Sequence, residues 1–112
     1  MTSQAARLTR VFRALSDPTR RAVVGRLSRG PATTTELALP FPMALPSFLG
    51  HLGVLEGAGL VRSRKAGRVR TYRLVPRRLA AAEHWMAQQS AMWEGRLDQL
   101  DTYLNDMKEH AK

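Results

Sequence analysis

One stretch of this chain alternates instead of turning with helical period. Leu60-Val61-Arg62-Ser63-Arg64 and Arg68-Val69-Arg70-Thr71-Tyr72-Arg73-Leu74 flank a Lys65-Ala66-Gly67 turn. Alternating strands around a glycine-bearing turn are a hairpin signature. Everything on either side of it carries helix signals, so the fold class is mainly α with a small β-hairpin.

Ahead of the hairpin, caps and breakers cut the chain into four helices. Leu8, Val11, Phe12 and Leu15 follow helical spacing, with Arg7, Arg10 and Arg13 mostly on the other side, which predicts an amphipathic helix ending near Ser16. Asp17-Pro18 starts the next one: the Asp side chain accepts from free backbone N–H groups, and proline at the first position has no N–H to waste. That helix turns Val23, Val24 and Leu27 inward and stops at Gly30-Pro31. Thr33-Thr34-Thr35-Glu36 matches a capping box and opens a short helix through Leu37 and Ala38, closed by Pro40 and Pro42. Leu45 to Ala58 is helical again, with Pro46 in its first turn, Gly59 as its stop, and Leu45, Phe48, Leu49, Leu52 and Leu55 available for packing. Gly50, Gly53 and Gly57 weaken this helix by roughly 1 kcal/mol each relative to Ala.

After the hairpin, Pro76 opens a long helix in which Leu79, Ala82, Met86, Trp93, Leu97, Leu100, Leu104 and Met107 keep a three-four spacing. A stripe on a helix too long to be covered by a small domain predicts packing against a second chain. Trp85 and Trp93 fit that interface or, alternatively, an effector pocket between long helices.

The 112 residues suffice for one domain, 1–112, with one site or a symmetric pair of sites in a dimer. The net charge of +9 is unevenly placed: Met1 to Arg78 holds 15 Lys/Arg against 3 Asp/Glu, and Leu79 to Lys112 holds 3 against 6. So basic a segment favours a polyanion partner, because each neutralised phosphate releases condensed counterions; the alternative is a basic surface that serves solubility alone. Without any cysteine, disulfides, thiolate nucleophiles and cysteine-ligated zinc are excluded. No run of about 18 apolar residues is long enough for a bilayer and Met1 to Arg10 lacks a secretory apolar stretch, so a cytoplasmic protein without a membrane partner is expected. The nine acidic residues are scattered singly, and no Gly-x-Ser-x-Gly, glycine-rich phosphate loop or His-Glu-x-x-His occurs, so no enzyme and no cofactor are expected.

A short helix, a turn over Pro40 to Ala44, a longer helix and then a basic hairpin form the arrangement of a winged helix-turn-helix, with five helices and a two-stranded wing over 60–74. Four motifs in this order, Leu15-Ser16-Asp17-Pro18-Thr19-Arg20-Arg21, Thr35-Glu36-Leu37-Ala38, His51-Leu52-Gly53-Val54-Leu55-Glu56 and Ala58-Gly59-Leu60-Val61, resemble the ArsR family of bacterial repressors. The resemblance runs from about Leu8 to Leu74. It implies a homodimer, built by the first and last helices (1–16 and 76–112), that reads half-sites of an inverted-repeat operator with a DNA-binding core over 17–75.

Carried onto this chain, the resemblance places Leu8, Val11, Phe12, Leu15, Trp85, Met86, Trp93, Leu97, Leu100 and Leu104 at the dimer interface. DNA contacts are expected from Ala44, Leu45, Ser47, Phe48, Gly50 and His51 in the recognition helix and from Arg62, Arg64, Lys65, Arg68 and Arg70 in the wing. A packed or capping histidine is the competing reading of His51, and Arg21 is read as the partner of an acidic residue in its own domain, with DNA contact as the alternative. Leu49, Gly50 and Gly53 stand where the family usually has polar or basic residues, which shifts affinity toward phosphates and DNA shape. Metal-sensing members use a Cys-x-Cys on the short helix or an acidic and histidine set on the last helix. Here the short helix reads Glu36-Leu37-Ala38-Leu39, and Gly95 stands eleven residues after His84, so no metal is expected. An unknown organic effector is compatible with the sequence. Two other readings are a winged-helix module for nonspecific nucleic-acid or protein binding, and a basic membrane-surface protein, which leaves the hairpin unexplained.

Overall fold

Side-chain caps set where the helices begin. In the computed structural model, which describes residues 3–110, Ser3 Oγ accepts from the Ala6 N–H at 3.1 Å and starts α1 (Gln4–Ala14). Asp17 Oδ2 accepts from the Arg20 N–H at 3.1 Å and starts α2 (Pro18–Leu27), with Pro18 in the first turn as predicted. The capping box closes both ways at α3 (Thr34–Ala38): Thr33 Oγ1 accepts from the Glu36 N–H at 3.2 Å, and Glu36 Oε1 accepts from the Thr33 N–H at 3.1 Å. Then come α4 (Leu45–Gly57), β2 (Val61–Ala66), β3 (Val69–Leu74) and α5 (Pro76–His110).

Ahead of α3 lies a two-residue strand, β1 (Ala32–Thr33), that the sequence reading missed. It pairs antiparallel with β3, Ala32 opposite Tyr72 and Thr33 opposite Thr71, so the sheet has three strands in the order β1-β3-β2. Two residues are too few to show alternation, and only β3 reveals that they are a strand. The hairpin turn also moves by one residue. Ala66 pairs with Val69, which leaves Gly67-Arg68 as a two-residue loop in place of the expected Lys65-Ala66-Gly67. Gly67 has φ +63° and Arg68 a negative φ, the sign pattern of a type II′ turn, whose first central position suits glycine.

Arg20 and Arg21 tie α2 back to the end of α1. Arg20 Nε donates to the Ala14 carbonyl at 2.7 Å and Nη2 to Arg13 at 3.1 Å, while Arg21 Nη1 donates to Leu15 at 2.8 Å. Arg21 therefore serves carbonyls left open by a helix C-terminus, not the acidic partner expected of it.

The core gathers one face of each early element: Val11 and Ala14, Val23, Val24 and Leu27, Leu37, Phe48, Leu52 and Leu55, then Leu60, Val61 and Tyr72, closed by Ala82. Phe41 stacks on Phe48 with ring centroids 5.3 Å apart. Val11, expected at a dimer interface, is 2% exposed and belongs to this core; Leu8, Phe12 and Leu15 pack partly against it. Gly59 ends α4 with φ +77°, a backbone conformation that favours glycine, and a Cβ there would also crowd the flexible Arg78 side chain, with Nε at 3.0 Å.

The described chain divides between Ala82 and Glu83 into two compact units. The first holds the winged-helix body. The second is the outer part of α5, in which Trp85, Met86, Trp93, Leu97, Leu100 and Leu104 are all exposed. No helix among the described residues is long and apolar enough to cross a membrane.

Candidate nucleic-acid interface

α4 divides sharply into two faces. Phe48, Leu52 and Leu55 fix it to the core, while Leu45, Pro46, Ser47, Leu49, Gly50, Gly53 and Val54 stay exposed. Phe48, expected to contact DNA, is 1% exposed and is a core anchor: it lies on the buried side of the same turn that presents Ser47 and Leu49. Ala44, Leu45, Ser47 and Gly50 do lie at the exposed start of the helix.

His51 is half-buried and held from behind. Arg20 Nη1 lies 3.1 Å from its Nδ1. A guanidinium only donates, so Nδ1 accepts and the ring proton sits on Nε2. Asp17 Oδ2 approaches the same nitrogen at 3.7 Å, beyond hydrogen-bond reach, so the Arg20 bond is the one that orients the ring. The packed histidine and the DNA-facing histidine are thus compatible readings of different ring nitrogens. Asp17 itself is held below the usual aspartate range, first by the Arg20 backbone N–H that it accepts.

In the hairpin, antiparallel partners share a face and neighbours alternate. One face carries Arg62, Arg73 and Arg64, with Arg62 directly opposite Arg73. The other runs from Val61 and Leu74 through Ser63 and Tyr72 to Lys65 opposite Arg70. Like charges directly across a ladder disfavour the pairing, and a polyanion laid along them relieves that repulsion. Arg70 is steadied by a relay: its Nη1 donates to Ser63 Oγ at 2.8 Å, and that hydroxyl donates to Glu56 Oε1 on α4 at 2.6 Å. The relay fixes the wing against the recognition helix.

Between them opens a groove of about 430 Å³, lined by Leu45 and Leu49 from α4, Lys65, Arg68 and Arg70 from the wing, and Thr34 from α3. The structure thus brings Leu45, Lys65, Arg68 and Arg70 of the expected DNA set to one groove, while Arg62 and Arg64 face elsewhere. Sequence reasoning passed over Leu49 and Thr34 as lining residues. Leu49 carries a usable signal, since it stands one turn after Leu45 on the same side of α4. Among the described residues, no group of three or more His, Cys, Asp or Glu is placed to hold a metal ion.

A helix pair set against a basic wing, with a cation-lined groove between them, defines a winged helix-turn-helix DNA-binding protein. The helix-turn-helix domain family matches residues 15–64. The chain is similar to the HTH-type transcriptional regulator Rv2034 of Mycobacterium tuberculosis, 49% identical over 72 residues, covering 64% of this chain and 67% of the relative. It is also 33% identical over 79 residues to the transcriptional repressor SdpR of Bacillus subtilis, covering 70% of this chain and 88% of the relative. Among solved structures, the ArsR family transcriptional regulator RHA00566 matches with a TM-score of 0.78 and 53% identity, covering 84% of this chain and 97% of that one. The homodimeric winged helix-turn-helix DNA-binding domain Mb0332 of Mycobacterium bovis matches with a TM-score of 0.60 and 25% identity, covering 80% and 81%. The chain belongs to the ArsR family of transcriptional regulators.

Proposed function

We propose that this chain is a homodimeric repressor that occupies an inverted-repeat operator at its own or a neighbouring promoter and competes there with polymerase. The groove between α4 and the wing carries the proposal, because it sets Lys65, Arg68 and Arg70 beside the exposed first turns of α4. In this reading Ala44, Leu45, Ser47, Gly50 and the Nε2–H of His51 face base edges. Lys65, Arg68 and Arg70 hold phosphates, and Arg62 and Arg64 add to the surrounding field.

Dimerisation through α1 and α5 is supported by the outer part of α5, where Trp93 alone is 61% exposed and Met86, Leu97, Leu100 and Leu104 repeat at seam-like spacing. The related Mb0332 domain is homodimeric and the related SdpR is a repressor. An organic effector with an anionic group would suit a cleft of about 320 Å³ lined by Arg7, Arg10, Glu56, Gly59 and Arg78 at the C-terminal end of α4.

The test is a salt titration of binding to the DNA upstream of the chain's own gene, beside a scrambled duplex of equal length. A preference of roughly a thousandfold or more, at two protomers per duplex, is expected of a sequence-specific repressor. Equal and steeply salt-dependent binding to both duplexes would refute it and leave a nonspecific binder.

A further inference from the structure

Resting on the operator reading above, we infer that α4 recognises its half-site chiefly through the 5-methyl groups of thymines, with Leu45 and Leu49 as the reading side chains. At about 100° per residue, Pro46, Gly50, Gly53 and Gly57 fall on the outermost ridge of α4, opposite Phe48, Leu52 and Leu55. A Cβ at Gly50, Gly53 or Gly57 would meet nothing within 4 Å, so packing inside the protomer does not demand those glycines. Beyond Pro46 the ridge is bare backbone at Gly50, Gly53 and Gly57, which lets the helix axis come closer to a docked surface than side chains would allow.

Beside that ridge, Leu45 and Leu49 stand 54% and 43% exposed in a groove whose other walls hold Lys65, Arg68 and Arg70. Burial does not explain them, because their own chain leaves them half in water. Charge complementarity fixes the occupant: three cations around two leucines call for a polyanion that also offers apolar groups. The major groove of duplex DNA meets both demands, since phosphates border it and the thymine methyl is the apolar group on its floor. Polar reading has little else to use on this helix. Ser47 is exposed, and His51 has Nδ1 committed to Arg20 and keeps one N–H donor.

The experiment selects duplexes from a randomised pool with the full-length protein, then remakes the enriched duplex with deoxyuridine for each thymine in turn, which removes the methyl and leaves base pairing unchanged. Each contacted methyl should weaken binding about fourfold when removed, the equivalent of one buried methyl-sized group. In Leu45→Ala and Leu49→Ala proteins, thymine and deoxyuridine duplexes should bind alike at the affected positions. Both leucines are exposed, so circular dichroism should show these variants folded. The Lys65→Ala protein should bind both kinds of duplex more weakly by the same factor. Enrichment of a defined site that deoxyuridine leaves unaffected would overturn the methyl reading while sparing the repressor. Failure to enrich any sequence would overturn both.

Discussion

The wing and α4 border one groove and are made of opposite materials. Residues 61–74 carry Arg62, Arg64, Lys65, Arg68, Arg70 and Arg73 with no acidic residue, whereas α4 carries Glu56 as its one carboxylate, no Lys or Arg, and three glycines. Glu56 is engaged by Ser63 and so belongs to the joint between the two elements. The contrast separates two tasks. A field of cations raises affinity for any duplex and weakens with salt, while apolar and shape contacts discriminate sequences and respond little to salt.

The comparison breaks most completely at Phe48, because α4 presents its outer face only while its inner face is seated. Phe48→Ala removes a fully buried ring and its stacking partner for Phe41, and should cost about 3 to 5 kcal/mol in a urea denaturation measurement. A loss below about 1 kcal/mol would mean that the site collapses without a cavity, and that α4 is held by Leu52 and Leu55 alone.

Removing wing cations should separate the two tasks. Lys65→Ala with Arg68→Ala deletes four phosphate contacts from a dimer and should lower affinity by roughly two to three orders of magnitude at physiological salt, equally on operator and scrambled DNA. The slope of log affinity against log salt should fall by about four, and urea stability should stay the same. An unchanged slope would move the phosphate contacts to Arg62, Arg64 and Arg73 on the opposite face of the hairpin.

What could be read in the sequence follows from how local each cause is. Asp17-Pro18, the Thr33–Glu36 box and Gly59 act within four residues, so the helix boundaries they set appear in the structure nearly where expected. The helical run of α5 was legible for the same reason, but Leu79 and Ala82 at the start of its stripe, expected against a second chain, pack in the protomer's own core. Features with a distant cause were not. β1 is a strand only because Tyr72 and Thr71 pair with it. Arg21 finds the end of α1 because that end has open carbonyls nearby, a proximity no spacing encodes. At the site, alternation placed the basic residues on two faces of the hairpin; the face that meets α4 is the one carrying the buried Val61 and Tyr72, and the Glu56–Ser63–Arg70 relay that joins it to α4 was not legible. Phe48 was misread because a helix with exposed leucines at positions 45 and 49 blurs the boundary between its core and outer sides.

The smallest expected effect concerns the scaffold behind the groove. Asp17 caps α2 and Glu36 caps α3, and both carboxyls are held below their ordinary range. For Asp17 the leading cause is the Arg20 N–H, and for Glu36 it is the Thr33 N–H, with the nearby Arg26 guanidinium adding to it. A carboxyl with a depressed folded pKa contributes stability that is fully present above its unfolded pKa and is lost as pH falls through the folded value. Over that window the unfolded chain binds more protons. Urea midpoints should therefore be flat from neutral pH down to about pH 5 and decline below about pH 4. Glu36 is exposed and Asp17 only half-buried, so the decline should be shallow. Asp17→Asn keeps a side chain that caps as well as aspartate but cannot titrate, so it should make the acid limb shallower and leave the neutral-pH midpoint almost unchanged. If the variant retained the full acid limb, the charge on Asp17 would be incidental to the cap, and Glu36 would be left as the sole candidate of the two.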